Sequence, residues 1–122
     1  MHSKISTLLT VICLLGCKAP AVTRYVSLDG TNDVAGGYTN WAGAATTIQA
    51  AISASAADDW IWVSNGTYEV GETPWPSMGY NRVAITTAVT IAAWDDDRTA
   101  TIIKGGQDIR PVFIGNNVTL SG

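Results

Sequence analysis

Residues 83–91 read Val83-Ala84-Ile85-Thr86-Thr87-Ala88-Val89-Thr90-Ile91, and residues 112–120 read Val112-Phe113-Ile114-Gly115-Asn116-Asn117-Val118-Thr119-Leu120. The second run lies on the first without a gap, at an offset of 29 residues from Val83 to Val112. Val83 meets Val112, Ile85 meets Ile114, Val89 meets Val118, and Thr90 and Ile91 meet Thr119 and Leu120. A step of 28 residues back from Val89 and Ile91 reaches Ile61 and Val63, in the same phase. Between the two runs, Thr101-Ile102-Ile103 supplies another short apolar strand, closed by Gly105-Gly106. A fixed period of this size, built from short strands and Gly, Asn and Asp turns, is the signature of a repeat architecture. Strands of about three to five residues leave no room for crossover helices, which points to an all-β chain wound as a parallel β-helix, a solenoid of stacked coils.

Toward the N-terminus, residues 39–68 read TNWAGAATTIQAAISASAADDWIWVSNGTY. The spacing predicts a helix over about 40–57. Asn40 is its N-cap, because an Asn side chain accepts a free amide of the first turn. Trp41, Ala44, Ala45, Ile48, Ala51, Ile52 and Ser55 form one apolar stripe, and Thr46, Gln49 and Ser53 fall mostly off it. Asp58 and Asp59 suit the turn that follows. The period then changes: Trp60-Ile61-Trp62-Val63 is short and bulky, as in a strand, so coils are expected from about residue 60. In a strand Ile61 and Val63 share one face while Trp60 and Trp62 share the other. Asn65-Gly66 closes it. A helix placed here covers the open end of the first coil, whose backbone groups would otherwise pair with another chain. Upstream, Arg24-Tyr25-Val26-Ser27-Leu28 reads as an alternating strand and residues 29–33 as a polar turn. Downstream, residues 69–81 are expected to be irregular, because Pro74 and Pro76 remove donors and restrict their neighbours.

The chain has 122 residues, enough for one domain, and 47% of them are hydrophobic, enough for a core. Residues 1–21 read as a signal peptide: Lys4 is the positive n-region, and residues 5–16 form an apolar segment too short to span a membrane. Two processing sites compete. Ala19-Pro20-Ala21 fits signal-peptidase cleavage before Val22, whereas Leu14-Leu15-Gly16-Cys17 resembles a lipobox with Cys17 as the lipidated residue. The expectation is a secreted or cell-surface protein, with an outer-membrane lipoprotein as the alternative. Both cysteines, Cys13 and Cys17, lie in this leader, so residues 22–122 hold no disulfide. Those residues carry 5 basic and 10 acidic side chains. That balance argues against nucleic acid and against anionic membranes as partners.

The run Tyr25-Val26-Ser27, then residues 38–52, then Val63-Ser64-Asn65-Gly66-Thr67-Tyr68, resembles the N-terminal region of secreted bacterial right-handed β-helix proteins of the pectate-lyase-like superfamily. Thr101-Ile102-Ile103-Lys104-Gly105-Gly106 and residues 112–122 resemble their next coils. Two positions depart from the pattern: Asp58 stands where Gly is usual, and Lys104 where an acidic residue or Asn is usual. The resemblance implies a right-handed parallel β-helix with an N-terminal capping helix. It extends to polysaccharide lyases and hydrolases and to adhesin-like surface proteins. The catalytic residues of such proteins lie on later coils, and none is carried over here. The chain closes on Leu120-Ser121-Gly122 at a strand end without capping character, so it is expected to be the N-terminal part of a longer protein.

The single histidine, His2, lies in the leader, which removes Ser-His, Cys-His and His-based metal chemistry from residues 22–122. No cofactor and no catalytic constellation is expected there. Asp29, Asn32 and Asp33 could offer oxygens to calcium, and Asp95-Asp96-Asp97 could do so or act on a sugar, but turn formation explains both groups more simply. Lys104, Asp108 and Arg110 could meet an anionic sugar and read equally as a charged turn. The aromatics give the stronger hint. With Ile61 and Val63 inward, Trp60 and Trp62 point outward, spaced to stack a sugar ring, and Trp75 and Trp94 are further candidates. The sequence therefore supports an extracellular polysaccharide-binding or structural module. The alternative is a polysaccharide lyase or glycoside hydrolase whose active site lies on later coils.

Overall fold

The computed structural model of the chain describes residues 19–75, 79–97, 99–115 and 118. Residues 1–18 of the leader, with Cys17, and residues Arg98 and Asn117 lie outside the described residues. Strand β2 (Trp60–Val63) follows the alternation its sequence predicts: Ile61 and Val63 are buried, Trp60 is exposed and Trp62 is half-buried. Burying an Ile or Val fully stabilises the fold by about 1.5–3 kcal/mol, so two such residues in four fix the inward face. Strand β1 (Thr23–Val26) pairs with β2 in parallel, with Tyr25 opposite Trp62 and Val26 opposite Val63.

Strands dominate and the chain is all-β in character. Its eight described strands form three short sheets. After β2 come β3 (Gly66–Tyr68), β4 (Thr73–Trp75) and β5 (Gly79–Ile85), then β6 (Thr90–Ala93), β7 (Thr101–Ile103) and β8 (Ile109–Ile114). The first sheet is β1-β2-β6, the second β3-β7, the third β4-β5-β8. The chain thus visits first, second and third sheet, then the same three again. Each return pairs in parallel: β6 on β2, β7 on β3, β8 on β5.

The register of the third sheet is the one the repeat predicts, Val83 opposite Val112 and Ile85 opposite Ile114. In the first sheet it differs. Ile61 pairs with Ile91 and Val63 with Ala93, an offset of 30 rather than the expected 28. A slip of two residues keeps every side chain on its face, because the strand period is two. That is why the inward positions were legible although the pairing was not. Nor is 83–91 one strand: β5 ends at Ile85, and Thr90 opens β6 in a different sheet.

The irregular stretch expected around the prolines is also corrected. Thr73–Trp75 is strand β4, antiparallel to β5, with Pro74 opposite Tyr80. It is an edge strand bonded on one side only, the place where a sheet tolerates a residue without an N–H.

The single described helix, α1, spans Ile48–Ala54, much shorter than 40–57. Its N-cap is Thr47, whose hydroxyl accepts from the Ala50 amide at 3.3 Å. Asn40 instead accepts from the Gly43 amide at 2.7 Å and closes a local turn. The helix cannot start earlier because the preceding backbone is engaged elsewhere. The carbonyls of Ala42, Gly43 and Ala44 accept from the amides of Thr31, Asp33 and Asn32, and Ala45 bridges to Val26 beside β1. Gly30 permits this contact, since a Cβ there would overlap the Ala44 carbonyl. Tertiary pairing has overridden an Ala-rich helical propensity.

Helix α1 lies against β1, β2 and β5 and buries Ile48, Ala51 and Ile52. With Val26, Ala45, Ile61, Val63, Tyr68, Val83, Ile85 and Val89 they form one core. Asp58 sits at φ 72, a backbone region that favours glycine. No described helix is long and apolar enough to cross a membrane.

Candidate functional site

The outer face of the first sheet carries uncharged side chains only. Register places Thr23, Trp60 and Thr90 in one row across the three strands, and Tyr25, Trp62 and Ala92 in the next. Alternation puts both rows on the face opposite Ile61 and Val63. Trp94 follows β6 directly, and its amide donates to the Val63 carbonyl at 2.8 Å, so its ring comes back beside Trp62.

Five rings result in a continuous series. The centroids of Trp60 and Trp62 lie 5.5 Å apart, those of Trp62 and Trp94 5.3 Å, those of Trp94 and Trp41 5.4 Å, and those of Trp41 and Tyr25 4.7 Å. The Trp62–Trp94, Trp41–Trp94 and Tyr25–Trp41 pairs are edge-to-face, the geometry that aromatic quadrupoles favour. Each pair contributes about 0.5–1.5 kcal/mol beyond its buried area, so part of this cluster holds the face together. Two of the tryptophans nonetheless keep much surface in water: Trp60 is 40% exposed and Trp94 58%.

The structure brings Trp60 and Trp62 together, as the sequence indicated, joins the further candidate Trp94 to them, and adds Trp41 and Tyr25. Trp75 closes β4 in the third sheet, apart from this strip, and its side chain lies outside the described residues. Trp41 was hidden by its assignment to the helix stripe. Once the helix starts at Ile48, Trp41 falls in the turn before it and packs outward. The parity of Tyr25, equal to that of Trp62 across the parallel pair, was the available signal.

Acidic groups border the strip. The turn after Trp94 places Asp95, Asp96 and Asp97 in solvent. Asp95 accepts from the Asn65 side-chain amide at 3.0 Å and from the Asp97 amide at 3.0 Å, and the bond from Asn65 leads in holding its carboxyl below the usual range. Asp97 accepts from the Thr99 hydroxyl and amide at 2.6 and 2.9 Å, which lowers it likewise. These bonds are those of a turn. Asn32 is similarly committed, bonding the Thr46 hydroxyl and amide through its side chain, and Asp33 accepts from the Gly36 amide. Among the described residues no group of three or more acidic, His or Cys side chains is arranged to hold a metal.

The remaining charged candidates are dispersed. Lys104 pairs with Glu69 at 3.2 Å on the surface. Asp108 and Arg110 line an open cleft of about 420 Å³ with Gly79, Tyr80, Gly106 and Ile109, and Lys104 is not part of it. A second cleft, of about 310 Å³, lies beside Asp58 and Asp59 and is lined mainly by Ala19, Pro20, Val22, Ala56 and Ala57. Asp59 itself is buried. It accepts from the Val22 amide at 2.9 Å and the Ala56 amide at 3.0 Å and meets Arg24 at 3.4 Å. Neither cleft combines a nucleophile with a base. The chain matches no protein-family profile, no curated protein and no solved structure.

Proposed function

We propose that the chain is the N-terminal part of a secreted or cell-surface right-handed parallel β-helix protein of pectate-lyase-like type, and that the outer face of its first sheet binds polysaccharide. The winding is supported by the order in which the chain visits three sheets and by the parallel pairing of each return. A right-handed sense follows from the strong preference of parallel crossovers for that hand.

The observation that carries the binding function is the ring series Trp60, Trp62, Trp94, Trp41 and Tyr25 on one solvent-facing sheet surface. Large aromatics exposed together mark interaction surfaces. A pyranose ring has an apolar face of carbon-bound hydrogens and a rim of hydroxyls. It matches a tryptophan flanked by hydrogen-bonding groups, and Trp60 stands in register between Thr23 and Thr90.

The test is affinity electrophoresis and isothermal titration against soluble polysaccharides, comparing the parent with Trp60→Ala/Trp62→Ala and with the single variant Trp94→Ala. Binding should weaken roughly tenfold or more in the double variant, about 1.4 kcal/mol per tenfold. Far-UV circular dichroism establishes that each variant is folded. Equal binding by parent and double variant would sink the proposal.

A further inference from the structure

The charge pattern around the strip selects among polysaccharides. We infer that the aromatic strip on the first sheet takes a neutral glycan and disfavours polyuronates and other polyanionic chains. The inference rests on the binding function proposed above and specifies its ligand class.

Three observations support it. First, the outward positions of β1, β2 and β6, namely Thr23, Tyr25, Trp60, Trp62, Thr90 and Ala92, include no cation that could neutralise a sugar carboxylate. Second, the described basic side chains nearest in sequence or packing are committed away from this face. Arg24 alternates inward, donating to the Gly37 carbonyl at 2.6 Å and meeting Asp59. Arg82 donates to the carbonyls of Lys104 and Gly71, between the second and third sheets, and Lys104 pairs with Glu69. Third, the border of the strip is acidic. Asp95 follows Trp94 in the chain and is fixed beside β2 by its bond to Asn65, with Asp96 and Asp97 exposed next to it. The Asp95 and Asp97 carboxylates are ionised at neutral pH, since hydrogen bonds from Asn65 and from Thr99 hold them below the ordinary carboxylate range.

A polyanion lying along the rings would bring its carboxylates toward these aspartates without a compensating cation among the described residues. Like charges close together raise the free energy of the complex, and the penalty falls as salt screens it. A neutral chain meets no such term. Its apolar ring faces contact Trp60 and Trp94, and its hydroxyls reach the Thr23 and Thr90 hydroxyls. Those threonines also argue against an apolar protein partner, which would leave their hydroxyls covered and unpaired.

The experiment compares hydroxyethylcellulose, a neutral β-linked glucan, with polygalacturonate, using the full chain, at low and at moderate ionic strength. The expected result is binding of the neutral polymer, at least roughly tenfold weaker binding of polygalacturonate at low salt, and a smaller difference at higher salt. Asp95→Asn/Asp97→Asn should narrow the difference while leaving affinity for the neutral glucan in place. Polygalacturonate binding as tightly as the glucan, or a difference unmoved by the aspartate substitutions, overturns the inference. If such polygalacturonate binding is lost in Trp60→Ala/Trp62→Ala, the aromatic site stands and only its ligand class is wrong. Binding of neither polymer, or of both equally by the tryptophan double variant, overturns the site itself.

Discussion

At position 59 a carboxylate sits in the protein interior, where burial alone would raise its pKa. Two backbone amides, from Val22 and Ala56, and the Arg24 guanidinium outweigh that effect and hold it below the ordinary value. Asp59 joins three segments: the residue before β1, the end of the α1 region and the start of β2. Its side chain is 4% exposed, so removing the charge leaves Arg24 buried and unpaired. Breaking a buried pair from one side costs on the order of 3 kcal/mol. Asp59→Ala should therefore lower the urea midpoint markedly, whereas substitution of the exposed Asp96 should leave it in place. The pH dependence has a defined sign. The pKa is depressed in the folded state, so the stabilisation is fully present above the unfolded value of 3.8. It is lost as pH falls through the lower folded value. Urea unfolding of the parent should show this loss only below about pH 4, and Asp59→Asn should remove that component of the acid dependence. An Asp59→Asn protein with the parent's acid profile would contradict the assignment.

At the scale of elements, α1 is held to the sheets through one side chain as well as through its apolar stripe. Gln49 lies off the stripe, and its Oε1 accepts from the Ala84 amide at 2.7 Å. Ala84 is buried in β5, and this amide points to the side of the strand away from β8. Without Gln49 it would be an unpaired buried donor, so Gln49→Leu should cost about 1–3 kcal/mol in urea unfolding although it adds apolar surface. A neutral or stabilising result would mean that the helix is held by apolar contact alone. The same elements show how far the sequence could be read. The inward face of β2 followed from period-two alternation, and Val83 opposite Val112 followed from the repeat; β5 and β8 do not alternate, since Ala84 is buried beside Val83 and Ile85 and Ile114 is exposed. The helix start did not, because residues 42–45 spend their backbone groups on residues 26–33, a long-range pairing with no local signature. Strand β4 was missed because Pro74 is acceptable only at an edge, and edge status is a property of the assembled sheet. Asn81 was equally unreadable: it is fully buried in β5, with its side-chain amide unbonded among the described residues.

At the scale of the whole molecule, the aromatic strip is a product of stacking. Trp60 and Trp62 share a face by local alternation, but Trp94 joins them only because β6 returns to β2 in parallel with Trp62 opposite Ala92. Tyr25 and Trp41 join only because β1 pairs on the other side. Two of the five rings were therefore legible in four consecutive residues, Trp94 was legible only as a further candidate, and Tyr25 and Trp41 required the pairing of β1 with β2. The sheet order also separates the strip from Trp75, which lies in the third sheet and which the sequence had grouped with Trp60 and Trp62 by residue type alone. The most direct test of this account is nuclear Overhauser spectroscopy on isotopically labelled protein, read in the tryptophan ring region and across β2 and β6. The account predicts ring contacts from Trp62 to both Trp60 and Trp94, and from Trp41 to Trp94 and Tyr25. It also predicts backbone contacts that place Trp62 opposite Ala92. Contacts that place Trp62 opposite Thr90, the 28-residue register, or a Trp94 ring without contact to Trp62, would contradict it.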